Sequence, residues 1–146
     1  MTLADFSGFS ALAILLFLSA LHVYWGLGGL WPVSTEKDLA EMVVGVPSGR
    51  MPGLIACFAV AFGLVAIAFL VVEIRWPTLA WDLSPIDRVF ADIAIAIFTA
   101  RGLLGFVDHK LRPATVALPF YRLNRIFYSP LCLVLAALLV HATHFN

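Results

Sequence analysis

Charge is what this sequence has least of. Nine Lys and Arg and nine Asp and Glu stand among 146 residues, 12% in all, about half the share of a soluble domain. The formal net charge is zero, so no basic surface is on offer for nucleic acid and no acidic tail is present. Cysteine is nearly as scarce. Cys57 and Cys132 each lie inside an apolar run, which excludes a disulfide framework and a C-x-x-C metal spacing and predicts two free, inert thiols. The histidines are spread too thinly along the chain to predict a metal site, and no cofactor motif is present. A basic stretch at the amino terminus is also missing. "MTLADFSGFSALAILLFLSALHV" carries Asp5 where a secretory signal would carry Lys or Arg, so it reads as a retained first membrane helix.

What is there is apolar: 62% of the residues. A transmembrane helix needs roughly 20 predominantly apolar residues, and four runs qualify, at about 7–27, 53–72, 89–107 and 126–144. The second has no charge at all, which argues against a buried soluble bundle. The expected fold is all-α, a single domain over 1–146. It is a polytopic membrane protein of four transmembrane helices in an up-down bundle. Between the first two spans, "STEKDLAEM" predicts a short interfacial helix, capped by Ser34 or Thr35, with Glu36, Lys37, Asp38 and Glu41 on its polar side. Pro52 and Pro130 are expected in the first turns of the second and fourth spans, where a missing N–H costs little.

Orientation follows from the Lys and Arg of the loops. Lys37, Arg50, Lys110, Arg112, Arg122 and Arg125 fall in the first and third loops, against Arg75 and Arg88 in the second. This balance places the first and third loops in the cytoplasm and both termini outside.

With the spans drawn, unusual polar residues collect at the cytoplasmic side. His22, Tyr24 and Trp25 end the first span. Arg101 lies in the inner half of the third and Asp108 at its exit, with Gly102 and Gly105 between them. Arg122, Asn124 and Tyr128 open the fourth. An arginine this deep usually snorkels or faces a partner or a wet cavity. These eight residues, His22, Tyr24, Trp25, Arg101, Asp108, Arg122, Asn124 and Tyr128, are the candidate binding site. The bland reading is equally physical: histidine and arginine as interhelical glue, tyrosine and tryptophan as an interfacial belt, loop arginines as topology markers.

Three stretches, "LHVYWGLGG", "RGLLGFVD" and "FYRLNRIFYSPLCLVLAALL", resemble in order and spacing a bacterial family of small four-span membrane proteins, the one numbered 3995 among the domains of unknown function. The resemblance rests on His22, Tyr24, Trp25, Gly28 and Gly29, then Arg101, Gly105 and Asp108, then Leu123, Tyr128, Ser129 and Pro130. It implies a bacterial inner-membrane protein and carries no activity with it. "RLNRIFYSP" also echoes the pattern of the membrane-associated eicosanoid and glutathione enzymes, but lacks their glutamate.

Two functions are therefore expected to compete. In one, the inner-leaflet cluster binds a lipid-like or isoprenoid-like molecule. In the other, the chain is an accessory or structural subunit of a larger membrane complex, with membrane-protein partners or further copies of itself. Membrane lipids are partners in either case. Acids through the full depth of the bundle, which a proton path would want, are missing.

Overall fold

The computed structural model describes residues 2–47, 49–77 and 84–145. Helix α1 (Leu3–Gly26) starts in a capping box: Thr2 Oγ1 accepts from the Asp5 N–H, and the Asp5 carboxylate accepts from the Thr2 N–H. Two orphan donors are met by one residue pair. Helix α2 (Glu36–Val43) is capped by Thr35, which accepts from the Asp38 N–H. Helix α3 (Leu54–Arg75) and helix α4 (Ser84–Leu111) follow. A 3-10 turn (Pro113–Ala117) leads to α5 (Pro119–Leu123), a π turn (Asn124–Tyr128) and α6 (Ser129–His144). These last three run on as one helix, Pro119–His144.

Helices α1, α3, α4 and α5–α6 are long and apolar enough to cross a membrane. At 1.5 Å per residue, the 22 residues of α3 reach about 33 Å, close to the hydrocarbon thickness of a bilayer. The protein is a four-span, up-down helical bundle with a short helix in its first connection. No strand occurs among the described residues.

Small residues bring the spans together. Buried positions on α3 are Cys57, Ala61, Leu64, Ala68 and Val71, and on α1 Ala4, Ser7, Gly8, Ala11, Leu15 and Ser19. Both rows repeat every three or four residues, which keeps them on one helical face. In lipid the tails are as apolar as the side chains, so close packing and interhelical hydrogen bonds replace the hydrophobic drive. Ser19 supplies one, donating to the Ala61 carbonyl at 3.0 Å. The main core joins Ala11 and Leu15 of α1, Leu64, Ala68 and Val71 of α3, and Leu135, Leu139 and Ala142 of α6.

Polar clamps close the end of the bundle where α1 begins. Arg75 Nη2 lies 2.7 Å from Asp5 Oδ1 and donates to Thr2 Oγ1. His144 Nε2 lies 3.1 Å from Asp92 Oδ1, so this histidine ties α6 to α4. At the opposite end, α2 lies across the bundle with Leu39 and Ala40 fully buried. The chain leaves it through Gly45 at φ +72, where a Cβ would stand 2.5 Å from Phe120 Cδ1. Glycine both permits that backbone and clears the seat of the Phe120 ring.

The fourth span starts at Pro119, seven residues before the expected start. Pro130 is therefore inside a helix, not in its first turn. An interior proline removes a hydrogen bond and pushes its ring against the carbonyl four residues back. The turn directly before it is a π turn, in which the Ser129 N–H reaches the carbonyl of Asn124, five residues earlier. Pro52 likewise lies outside α3, before its N-cap Gly53.

Candidate functional site

The end of the bundle that carries α2 is split by a groove of about 760 Å³. Along α1 its wall runs from Ala13 to Trp25, about 18 Å by helical rise. Ile14, Phe17, Leu18 and Leu21 form its apolar length on one side, with Leu123, Phe127 and Leu131 opposite. Met42 and Val43 of α2, with Trp31 and Pro32, close its end. The sides are open: Phe17 is 61% and Phe127 57% exposed. A chain-like molecule lying in the surrounding hydrocarbon can therefore enter sideways.

Among the described residues, five with polar side-chain atoms line that groove: His22, Trp25, Trp31, Arg101 and Tyr128. Three have committed their protons. The His22 Nδ1–H donates to the Leu18 carbonyl at 2.8 Å, which fixes the proton on Nδ1 and leaves Nε2 as the ring's second hydrogen-bonding atom. The ring also stands edge-on to Trp25, centroids 5.5 Å apart. Trp25 Nε1 donates to the Trp31 carbonyl at 2.9 Å. The Tyr128 hydroxyl donates to the Met42 carbonyl at 3.2 Å and so pins α2 over the groove.

Arg101 is different. Its Nη2 donates to Asn124 Oδ1 at 3.0 Å, and the described residues bring no carboxylate within ion-pair distance of it. A guanidinium has five N–H donors, so this hydrogen bond leaves most of them open. The same residue lines a second, smaller cavity of about 440 Å³ with Val44, Gly105, Asp108, Arg112 and Phe120.

What holds Arg101 is a buried knot between α4 and the π turn. Asn124 Nδ2 donates to the Gly105 carbonyl at 2.9 Å, and Ser129 Oγ donates to Asn124 Oδ1 at 3.3 Å. Only an amide side chain donates and accepts in this way, and the network assigns its two ends. In a regular α-helix, residues five apart point about 140° away from each other. The π turn brings Asn124 and Ser129 to one face. A Cβ on Gly105 would overlap Ser129 Oγ and stand 2.8 Å from Arg101 Nη1, so the knot requires glycine there.

The candidate residues thus divide. His22, Trp25, Arg101 and Tyr128 meet in the groove, with Asn124 buried behind Arg101. Asp108 stands in the second cavity, which Arg101 also lines, but its Oδ1 pairs with Arg112 Nε at 2.9 Å, one helical turn on. Seven residues along a helix separate Arg101 from Asp108 by about 10 Å, against about 6 Å for the i, i+4 pair. Arg112 also donates to the Val44 carbonyl and lies over the Phe120 ring. Tyr24 folds back against Gly29, outside the groove. Arg122 is exposed and lines neither cavity. The sequence reading missed Met42, Val43 and the apolar wall. A heptad-like row was present for the latter: Ile14, Leu18, Leu21 and Trp25 repeat at four, three and four residues, beside the row that α1 buries. Among the described residues no three His, Cys, Asp or Glu side chains converge as metal ligands.

Residues 15–139 match the family described as "Protein of unknown function (DUF3995)". The chain belongs to this family. No curated protein and no solved structure matches it. The matched DUF3995 segment takes in α1 from Leu15 onward and runs to Leu139 of α6, so it includes every polar residue of the groove.

Proposed function

We propose that this DUF3995 protein binds a lipid-like or isoprenoid-like amphiphile, its chain in the α1–α6 groove and its head at Arg101. The observation that carries the reading is one cavity with a long apolar wall and, at one end, an arginine to which the described residues bring no carboxylate. Ligand sites are mostly apolar with a few convergent polar groups, and about 760 Å³ lies within their usual range. An arginine held in a membrane span without a counter-ion is costly, and a bound anion offsets that cost. The groove spans half the length of its helices, which is the depth of one leaflet.

The excess of Lys and Arg at the α2 end supports a reading in which that end faces the cytoplasm, both termini lie outside and the groove opens to the inner leaflet; the bacterial inner membrane is what the family resemblance implies. To test the reading, the protein is purified in mild detergent and its co-purifying lipids are quantified by mass spectrometry. The wild type is expected to retain about one amphiphile per chain, and Arg101→Ala and His22→Ala to lose most of it. Unchanged lipid content in both variants rejects the site.

A further inference from the structure

Resting on that reading, we infer that the head of the bound molecule carries a single negative charge, and that the occupant is a singly anionic glycerophospholipid drawn from the surrounding bilayer. The inference comes from a census of charges and protons around the groove. The N–H of Trp25, the Nδ1–H of His22 and the hydroxyl proton of Tyr128 all go to backbone carbonyls. Among the described residues that line the groove, Arg101 is the charged group with free donors, the Trp31 indole N–H being neutral, and the guanidinium fork matches two oxygens of one phosphate. The neighbouring cation, Arg112, is cancelled by Asp108. The site therefore presents one unbalanced positive charge.

One unbalanced charge selects one negative charge. A phosphodiester supplies it. A phosphomonoester carries about −1.5 to −2 at pH 7, and an isoprenoid diphosphate carries more, so either leaves charge uncompensated beside a hydrocarbon wall. A zwitterionic head brings a cation of its own to Arg101. His22 Nε2, the ring nitrogen that the Leu18 carbonyl does not engage, suits a hydroxyl such as a glycerol head provides. The groove is long in one direction and open along its side, which lets one acyl chain lie inside while the other stays in the bilayer.

Two of the chain's four tryptophans, Trp25 and Trp31, line the groove and report on its contents. With Trp76 and Trp81 replaced by Phe, the protein is placed in phosphatidylcholine bilayers and titrated with brominated phosphatidylglycerol or brominated phosphatidylcholine, which quench tryptophan on contact. Saturable quenching by phosphatidylglycerol is expected at about tenfold lower mole fraction than by phosphatidylcholine. Arg101→Gln is expected to bring the two curves together, and Arg101→Lys, which keeps the charge, to retain part of the gap. Equal, saturable curves for the wild type would overturn the inference about the head while leaving the groove standing. So would displacement by farnesyl diphosphate at lower concentration than by phosphatidylglycerol. Linear, unsaturable quenching by both lipids would remove the groove reading itself.

Discussion

Gly105→Ala is expected to lower the melting temperature in detergent by roughly 10 °C, equivalent to about 3 kcal/mol. The new methyl would overlap Ser129 Oγ and press on Arg101 Nη1 at 2.8 Å and Asn124 Oδ1 at 3.2 Å. The Arg101 end can swing aside, but Ser129 and Asn124 cannot give way cheaply. Ser129 is fully buried, Asn124 is 2% exposed, and both hold hydrogen bonds that a shift would break. Gly102→Ala is the control one turn away. There the methyl meets the flexible end of Leu133 first, at 2.6 Å, and the Ser129 carbonyl at 3.1 Å. A smaller loss of about 1 kcal/mol is expected, because the leucine can turn aside. Thermal unfolding of both variants followed by circular dichroism checks the order. Equal melting of Gly105→Ala and wild type would mean that α4 and α6 do not meet at this glycine.

Asn124→Leu, which keeps the branching and heavy-atom count of the side chain, is expected to cost about 2 kcal/mol. The substitution removes the acceptor of two donors at once, Arg101 Nη2 and Ser129 Oγ, and the donor to the Gly105 carbonyl. Polar contacts between membrane helices average only about 0.6 kcal/mol each, so three together reach that figure. Asn124→Asp separates stability from charge. It keeps acceptors for Arg101 and Ser129 but sets an oxygen against the Gly105 carbonyl oxygen, now 2.9 Å from Nδ2, and it gives Arg101 a carboxylate. Both variants are expected to melt below wild type. The aspartate alone should abolish lipid retention by cancelling the charge, which lipid analysis after purification reads directly. Retention by Asn124→Asp equal to wild type would contradict the role given to Arg101.

The fold was legible where a physical rule is insensitive to detail. Length and apolarity found the four spans, and the threonine before an acidic turn found α2. Boundaries slipped where an interior proline was read as a helix start. Pro130 looks like a first-turn proline until its partner, the π turn at Asn124, is known, and no local rule marks a π turn. The site was half legible. His22, Trp25, Arg101 and Tyr128 stood out as polar groups at one depth, and depth can be counted along a helix. Which way each points cannot. Tyr24 turned back on its own loop, and Arg122 stayed on the surface. Asp108 found Arg112, because helix spacing favours the fourth neighbour over the seventh. The amide of Asn124 looked like one more polar head near a membrane boundary, whereas it sits behind Arg101 and orients it.

Filling the groove tests the central claim most directly. Ala13 and Leu131 line its apolar length, away from the Arg101 knot, and tryptophan at both positions would occupy the space assigned to an acyl chain. Native mass spectrometry of the purified protein then counts retained lipid. The account predicts about one lipid on the wild type and none on Ala13→Trp/Leu131→Trp, with both proteins melting within a few degrees of each other. A stably folded double variant that retains the same lipid at the same occupancy would contradict it.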